Sequence, residues 1–295
     1  MEPIPFDKRS GKIWFNGEPV NWNDVKIHVL SHGLHYASCV FEGERVYDGE
    51  IFKLEEHTER LFHSASRLDF RISYNQELIN KACKEIVTIQ KVKNGYVRPV
   101  AWRGSEMMAI SAQQTKIHVA IAAWEWGSYF DPNLKLRGIK LNISKWKRPA
   151  PDTIPWDTKS SGLYMICTLS KHEAERKGFT DSLMLDHQGN IAETTGANIF
   201  FKNNDNELHT PIPDSFLNGI TRRCVIEIAK SKNIKIIERK IKPDELSKFR
   251  GCFLTGTATE VTPVSQINNY KFEVCNVIKD LSESYQALVR KKPAA

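Results

Sequence analysis

Two tight-turn signals in the first fifty residues constrain the fold most. Asn16-Gly17 lies between apolar stretches, and Asp48-Gly49 follows the period-two segment 40–46. Both dipeptides favour the positive φ angles of two-residue hairpin turns. Antiparallel hairpins are therefore predicted near the start of the chain, and segments of helical and strand period mix irregularly after them. This order favours an α+β fold over a doubly wound parallel sheet.

The remaining elements follow from hydrophobic period and from capping residues. Asn75 is a candidate N-cap of a helix whose predicted buried face includes Leu78, and Gly178 is a candidate left-handed helix stop. Helices are predicted over 54–68, 75–87, 161–177, 221–231 and 274–289. Strands are predicted over 96–102, 117–124, 139–146, 182–185, 197–201, 234–241 and 252–255, with a turn at 187–190.

The chain is long enough for two domains. Its 295 residues exceed what one hydrophobic core usually fills. Residues 127–138 lose periodicity and gather Gly, Pro, Asp and Asn, which is typical of a connection. We predict a small N-terminal domain at 1–126, an interdomain loop at 127–138 and a large domain at 139–295.

Composition and motif content limit the classes of protein to which the chain can belong. The net charge is +7, but the lysines are scattered, so a solvated surface or attraction for small anions explains it better than a nucleic-acid stripe. Six widely spaced cysteines form no CxxC pair, which disfavours a metal or redox site and favours a reducing cytoplasm. We find no run of 18 apolar residues, no signal-like N-terminus and no GxGxxG or GxxxxGK[ST] motif.

Three residues match the needs of a pyridoxal phosphate (PLP) ring. Lys159 precedes a predicted helix, Tyr164 follows five residues later, and Glu193 lies in a polar turn. They offer an amine for the aldehyde, a hydroxyl for the ring oxygen and a carboxylate for the ring nitrogen. Apolar Leu163 and Met165 would help to lower the pKa of the amine. Spacing alone does not exclude structural roles for these residues: Lys159 could be a surface lysine, Tyr164 a core tyrosine and Glu193 a solvated carboxylate.

Several segments could bind anions. Gly219-Ile220-Thr221 lies at a predicted helix start, where backbone amides and the helix dipole attract phosphate. Gly256-Thr257 ends a strand in a small-residue turn, and Arg60 lies off the apolar stripe of its helix. Tyr96 and Arg98 share one strand face and suit an α-carboxylate, although a structural ion pair is equally compatible with this spacing.

At this point the sequence resembles a known family. HGLHYASCVFEGERVY, YVRP, TKSSGLY, GNIAETTGANIF, LNGITRR and FLTGTATEVTPV follow one another with matching gaps between Gly17 and Gln266. Together they resemble the branched-chain amino acid aminotransferases of PLP fold type IV. The resemblance implies two domains, a small α/β N-terminal one and a larger one with a mixed, barrel-like sheet, and a cofactor between them.

The resemblance also implies roles. Lys159 would be the catalytic residue that binds the cofactor covalently and moves the proton. Cofactor contacts would come from Arg60, Tyr164, Glu193, Ile220, Thr221 and Thr257. The substrate carboxylate would meet Tyr96, Arg98, Thr257 and Ala258, and the side-chain pocket would involve Phe41, Tyr129 and Tyr164, with Tyr36 and Ile110 from a partner subunit. Arg45 would meet the distal carboxylate of glutamate, and no metal is expected.

The implied reaction is amino transfer between L-leucine, L-isoleucine or L-valine and 2-oxoglutarate, by a homodimer or higher homo-oligomer. Within the fold type, Phe41, Gly43, Arg45, Tyr96 and Arg98 resemble the branched-chain pattern rather than that of the D-amino acid or (R)-amine aminotransferases, which remain the alternative. Leu163 and Asn218 depart from residues common in the family, Asn and Pro. A non-catalytic nucleic-acid binder is the alternative from another class.

Overall fold

The computed structural model describes residues 4–127, 137–205 and 207–290. The chain forms two compact units. Unit 1 is Met1–Gly127 together with Thr158–Gly162, and unit 2 is Ser128–Asp157 together with Leu163–Ala295. The predicted linear division did not include this return of Thr158–Gly162 to unit 1. The return matters because the five residues carry Lys159.

Unit 1 is built on a seven-stranded antiparallel sheet in the order β2-β1-β7-β6-β4-β5, with β3 also paired to β6. The strands are β1 Lys12–Phe15, β2 Glu18–Asn21, β3 Cys39–Phe41, β4 Glu44–Tyr47, β5 Glu50–Ile51, β6 Gly95–Arg103 and β7 Ile117–Glu125. Both predicted hairpins are confirmed, and Asn16, Gly17, Asp48 and Gly49 have the positive φ angles that such turns need.

Three helices belong to unit 1: α1 His32–Tyr36, α2 Leu54–Arg67 and α3 Gln76–Ile89. Asn75 caps α3 as predicted, because its side-chain oxygen accepts the Leu78 amide at 2.8 Å. The placement of Leu78 on the buried face is wrong, since 39% of it is exposed. The buried positions, 79, 82, 83, 86 and 87, form one stripe at helical spacing, and Leu78 lies a residue beside it.

Unit 2 contains a nine-stranded mixed sheet in the order β10-β9-β8-β15-β14-β11-β12-β13, with β16 paired to β15. The strands are β8 Ile139–Lys147, β9 Asp181–Leu185, β10 Ile191–Thr194, β11 Asn198–Lys202, β12 Leu208–Thr210, β13 Ile236–Glu238, β14 Gly251–Gly256, β15 Glu260–Ile267 and β16 Tyr270–Lys271. Three pairs, β8–β9, β8–β15 and β12–β13, are parallel. The predicted α+β class is confirmed.

The helices of unit 2 that follow β8 are α4 Tyr164–Arg176, α5 Ile220–Ser231 and α6 Asn276–Val289. Gly178 follows α4 with φ +77°, which confirms the predicted stop. The sheet core is fully buried and includes Phe200 and Phe253, whose rings stack at 5.0 Å. No helix among the described residues is long and apolar enough to cross a bilayer.

The prediction that Glu193 lies in a turn is wrong, because Glu193 is part of β10. This strand is only four residues long, and it pairs with β9 through a register shift between Ile191 and Glu193. A short strand with two polar residues carries little periodicity, so the sequence indicated only the turn before it. The shift at Glu193 redirects a side chain at a strand edge, as bulges commonly do beside functional sites.

Candidate active site

The backbone of Lys159 is fixed within unit 1 on two sides. Its carbonyl accepts the Phe41 amide at 3.1 Å, and its own amide donates to the Ser64 hydroxyl of α2 at 3.0 Å. The next residue, Ser160, forms a bridge with Val40 of β3. Lys159 is therefore attached to a strand and a helix, although the sequence around it reads as a proline-rich loop.

The amine of Lys159 has cationic surroundings. Its Nζ lies 4.9 Å from the centre of the Phe41 ring. Burial lowers the pKa of Lys159, the Arg60 and Arg98 guanidinium groups lower it further, and Glu42 partly opposes them. The predicted contribution of Met165 is wrong, since 65% of Met165 is exposed. A lowered pKa increases the fraction of neutral amine, which is the nucleophilic form.

A buried ion cluster fixes Arg60. Its Nε and Nη2 donate to the two oxygens of Glu42 at 2.6 and 2.8 Å, and His57 Nδ1 lies 2.7 Å from Oε2. Because the carboxylate only accepts, His57 donates from Nδ1. Burial alone would raise the pKa of Glu42, but Arg60 and His57 outweigh it and hold that pKa far below its usual range. An arginine held on one side in this way suits phosphate recognition through its other donors.

Phe41, Tyr96 and Arg98 lie close together. The Arg98 guanidinium carbon lies 4.7 Å from the Phe41 ring centre and 5.4 Å from that of Tyr96. Its buried Nε has no hydrogen-bond partner among the described residues. Gly43 leaves space for the Tyr96 side chain, because a Cβ at position 43 would lie 1.7 Å from the Tyr96 hydroxyl. A half-buried guanidinium on aromatic rings suits a carboxylate ligand.

Arg45 has a different environment. It is buried, and its Nη1 donates to the carbonyls of Trp126 and Gly127 at 3.1 and 2.9 Å. This nitrogen therefore holds the chain that leaves β7, and contact with a distal substrate carboxylate stays a prediction. Tyr129, predicted in the side-chain pocket, lies outside the described residues.

In unit 2, Glu193 lies between two side chains. The Arg148 Nε is 3.4 Å from Oε1, and the Asn198 amide nitrogen is 3.5 Å from Oε2. Arg148 is buried, and its Nη1 also donates to the Cys167 sulfur at 3.6 Å. A guanidinium beside the carboxylate favours its ionised form, which is the form that can keep a pyridine nitrogen protonated. Tyr164 is half-buried at the first position of α4.

The turn after Glu193 is also fixed by hydrogen bonds. The Thr194 amide and hydroxyl donate to the Ala197 carbonyl at 2.8 and 3.1 Å, and the Thr195 hydroxyl donates to Asp181 Oδ1 at 2.6 Å. Burial raises the pKa of Asp181, although Lys171 and the Thr195 hydrogen bond act against it. Glu193 therefore lies on a strand whose last residue and following turn are held by several hydrogen bonds.

Two features of unit 2 fit a phosphate group. Helix α5 begins after Gly219 without a side-chain cap among the described residues and without an acidic residue in its first turn, so its first amides face no competing carboxylate. The turn between β14 and β15 contains Thr257 and Ala258, which are half-exposed. Beside them, the buried hydroxyls of Thr255 and Thr259 lack partners within the described ranges. These orphaned donors fit an anion at this turn.

The predicted residues thus fall into two groups. Unit 1 brings Phe41, Arg60, Tyr96, Arg98 and Lys159 into one cluster. Unit 2 holds Tyr164, Glu193, Ile220, Thr221, Thr257 and Ala258. That the two groups meet around one cofactor stays a prediction. Of the two departures, Leu163 is buried, and Asn218 accepts Arg222 Nη1 at 2.9 Å at the start of α5.

Sequence reasoning missed four residues of these clusters: Glu42, His57, Arg148 and Asn198. A signal existed for Glu42, which is a charged residue placed directly after apolar Val40 and Phe41. Arg148 and His57 lie among other charged residues, and nothing in the sequence separates them from surface groups. Asn198 lies within the predicted strand 197–201, and its position there does not indicate contact with Glu193.

Comparison with known proteins agrees with this chemistry. The amino-transferase class IV family matches residues 39–267. A protein from Rickettsia conorii described as a probable branched-chain-amino-acid aminotransferase is 41% identical over 294 residues, which cover 98% of this chain and 100% of the relative.

Solved structures agree as well. The branched-chain amino acid aminotransferase of Escherichia coli superimposes with a TM-score of 0.92 at 34% identity, covering 95% of each chain. The branched-chain aminotransferase of Thermoproteus uzoniensis, solved with norvaline, superimposes with a TM-score of 0.91 at 32% identity, covering 96% of this chain and 95% of the other. A third enzyme of this kind, solved with N-(5'-phosphopyridoxyl)-L-glutamate, superimposes with a TM-score of 0.90 at 35% identity, with the same coverage. The resemblance seen in the six motifs is confirmed, and the chain belongs to the class IV aminotransferase family.

Proposed function

We propose that the protein is a PLP-dependent branched-chain amino acid aminotransferase that transfers the amino group between L-leucine, L-isoleucine or L-valine and 2-oxoglutarate. The observation that carries the proposal is Lys159, whose backbone is fixed by two hydrogen bonds and whose amine lies among Arg60, Arg98 and Glu42 with a lowered pKa. Bound PLP supplies an aldehyde that accepts the amino group and a ring that withdraws electrons.

Lys159 then acts as the proton carrier. As a neutral amine it would take the proton from the substrate Cα, and as an ammonium it would give that proton up again, which is general base and acid catalysis by one group. The nearby guanidinium groups favour the neutral form, and Glu42 limits that effect. Fixing the backbone at Phe41 and Ser64 reduces the conformations of the chain that carries the amine.

The other residues hold the cofactor. Arg60 and the amides at Ile220 and Thr221 bind the phosphate together with Thr257, and Tyr164 donates to the ring oxygen. Glu193 keeps the ring nitrogen protonated. Support comes from the two bonds that hold Arg60 to Glu42 and from Arg148 beside Glu193.

The substrate α-carboxylate binds Tyr96, Arg98 and the amides of Thr257 and Ala258. Phe41 and Tyr164 contribute to the apolar pocket, which accepts all three branched side chains because one methylene is worth only about 1–3 kcal/mol there. Glutamate places its distal carboxylate near Arg45. The Arg45 Nη1 donates to two backbone carbonyls, so the distal carboxylate would contact another nitrogen of the same guanidinium.

The assembly is a homodimer or a higher homo-oligomer. Apolar side chains are exposed on residues 27–36 and 108–110: Ile27, Val29, Leu30, Leu34, Tyr36, Met108 and Ile110. The two segments adjoin, because the His32 amide and ring nitrogen bond the carbonyls of Gly104 and Ala109 at 2.8 and 2.9 Å. A second copy would cover this apolar surface and would receive Tyr36 and Ile110 in its substrate pocket. We also place the enzyme in the cytoplasm, because the spacing of its cysteines suggests no disulfide framework.

A spectrum tests the reaction. Purified protein supplied with PLP should absorb in the visible range, and adding L-leucine should remove that band as the amino group moves to the cofactor. 2-Oxoglutarate should then restore it. D-leucine should leave the band unchanged. A response to D-leucine alone would replace this proposal by the D-amino acid alternative, and a colourless protein would remove it.

Mixed subunits test the role of Tyr36. Homo-oligomers of Tyr36→Ala and of Lys159→Ala should each have low activity. When they are mixed and allowed to exchange subunits, one site in each hybrid dimer gains an intact Lys159 and a native Tyr36 from the partner. Activity should rise after exchange. Activity that stays at the sum of the two parents would show that Tyr36 acts within its own subunit.

A further inference from the structure

Asn198 connects two parts of unit 2 to which cofactor contacts were assigned. It begins β11, is 4% exposed and makes three polar contacts. Its amide nitrogen donates to the Leu217 carbonyl at 2.9 Å and lies 3.5 Å from Glu193 Oε2, and its oxygen accepts the Gly219 amide at 3.1 Å. One side chain thus touches the carboxylate for the ring nitrogen and the residue that begins the phosphate helix.

The three contacts settle the orientation of the amide. A carbonyl at Leu217 and a carboxylate at Glu193 both need a donor, whereas the Gly219 amide needs an acceptor. The opposite orientation would place the amide nitrogen against the Gly219 N–H and the oxygen against two acceptors. Nitrogen toward Leu217 and Glu193, with oxygen toward Gly219, satisfies every contact.

Close approach to Asn198 explains the glycine at 219. A Cβ on Gly219 would lie 2.3 Å from the Asn198 Oδ1, which is closer than any real contact. The φ angle of Gly219 is −59°, a value open to all residues, so its backbone conformation does not require glycine. The absence of a side chain is needed for the hydrogen bond between Gly219 and Asn198.

Asn198 also lies near the second feature of unit 2 that fits a phosphate, the turn after β14 that contains Thr257. It pairs directly with Thr255 across β11 and β14, two residues before Thr257. A Cβ on Gly256 of that turn would come within 3.2 Å of the Ala197 side chain. The strand that bears Asn198 therefore touches each part of unit 2 that would hold an end of the cofactor.

We propose that Asn198 is a positioning residue that couples the carboxylate for the ring nitrogen to the start of the phosphate-binding helix. The inference rests on the proposed function. A ring and a phosphate joined in one molecule bind well only if their two anchors keep a fixed separation. Asn198 sets the separation of Glu193 from Gly219 and thereby prepares the site before the cofactor arrives.

The test uses the apoprotein and three probes: PLP, pyridoxal, which lacks the phosphate, and inorganic phosphate. We expect Asn198→Ala to weaken PLP binding about 10–100-fold, as losses of supporting hydrogen bonds do at other sites. Asn203→Ala is the matched control, because its amide bonds Glu207 away from these residues. Unchanged PLP affinity in Asn198→Ala would overturn the inference.

Gly219→Ala tests the coupling itself and serves if Asn198→Ala does not fold. The new methyl displaces the Asn198 side chain from the helix start. If the two anchors are coupled, this change should weaken binding of pyridoxal, although pyridoxal has no phosphate. An effect on inorganic phosphate alone would mean that the anchors are independent and would overturn the proposal.

A double-mutant cycle completes the test. The loss of PLP affinity caused by Asn198→Ala should be at least about threefold smaller in a Glu193→Gln background, because neighbouring groups are not additive. Equal losses in both backgrounds would refute action through Glu193. Wild-type apoprotein that binds no PLP would instead refute the proposed function, so the two failures are distinguishable.

Discussion

The candidate site residues of unit 1 and those of unit 2 are held in place by different interactions. In unit 1, Glu42, Arg60 and His57 form an ion cluster in which the carboxylate and the imidazole are almost fully buried. In unit 2, Glu193 lies 3.5 Å from the Asn198 amide nitrogen and 3.4 Å from the Arg148 guanidinium, and neutral donors such as the Thr195 hydroxyl hold the turn that follows its strand. Charged partners hold Arg60 in unit 1, whereas neutral hydrogen bonds act beside one guanidinium around Glu193 in unit 2.

The difference determines how each cluster responds to change. A buried ion left without its partner keeps its desolvation cost, so unit 1 should respond sharply to the loss of one charge. Neutral hydrogen bonds contribute about 0.5–1.5 kcal/mol each, so unit 2 should respond in small steps. Substitutions of matched size in the two units can test this comparison.

The largest effect is expected for Lys159→Ala, measured as turnover of L-leucine. Without the amine no group carries the proton, and kcat should fall by more than about 10³-fold. The free energy of unfolding should not fall, since Arg60 and Arg98 already disfavour the charged amine. Lys177→Ala, which removes an exposed amine, is the control. Substantial turnover in Lys159→Ala would remove the mechanism.

The next effect is the stability change in Glu42→Gln. The substitution keeps the shape but removes the charge that faces Arg60 and His57, and breaking a buried pair costs about 3–5 kcal/mol. Denaturant unfolding at pH 7 measures it. Glu56→Gln is the control, because the pair of Glu56 with Lys53 is partly exposed and contributes about 0–1 kcal/mol. Equal costs for both variants would contradict the view of unit 1 as a charge-fixed cluster.

Much of this architecture could be predicted from sequence, because local signals decide it. Positive φ at Asn16 and Asp48, the cap at Asn75 and the stop at Gly178 each depend on a few neighbouring residues. The proposed site residues likewise come from contiguous motifs, and their roles stay predictions. Each of those motifs lies within one short segment, so it is visible in the sequence without knowledge of the fold.

The supports of the site could not be predicted in this way. Glu42 meets Arg60 eighteen residues away, and Arg148 meets Glu193 across forty-five. The order of the strands and the burial of the side chains decide which distant residues meet, and the hydrophobic periodicity of a short segment does not encode either. The return of Thr158–Gly162 to unit 1 has the same origin, because Lys159 is held by β3 and α2, both distant in sequence.

A third substitution, Glu44→Gln, tests a buried carboxyl of unit 1 that forms no ion pair within the part of the chain that the structure describes. Both Glu44 oxygens are buried without a hydrogen-bond partner among the described residues. Burial and the Glu42 charge raise the pKa of Glu44 well above 4.5, Arg60 opposes them, and Glu55 adds to the rise. Burial and Glu44 together also raise the pKa of the Cys83 thiol on α3.

The raised pKa of Glu44 makes the free energy of unfolding depend on pH. Because the folded pKa of Glu44 is raised, its contribution to stability is complete below about pH 4.5 and is lost as pH rises through the folded pKa. Glutamine cannot ionise, so Glu44→Gln should become more stable than the wild type as pH rises from about 4.5 toward the raised pKa of the folded state. Unfolding curves across this range check it, and a stability difference that stays constant with pH would contradict a neutral Glu44.

The smallest effect is expected in unit 2, for Asp181→Asn. The new side chain keeps the Oδ1 that accepts Thr195 and the Ser182 amide at 2.6 and 2.8 Å, so only the charge is lost. Because burial raises the pKa of Asp181, the charged form is already disfavoured, and the unfolding free energy at pH 7 should change by less than about 1 kcal/mol. Asp181→Ala removes the acceptor as well and should cost about 1–3 kcal/mol, since two donors lose their partner. If Asp181→Asn instead cost as much as Glu42→Gln, the Glu193 strand would depend on buried charge, and the contrast between the two units would disappear.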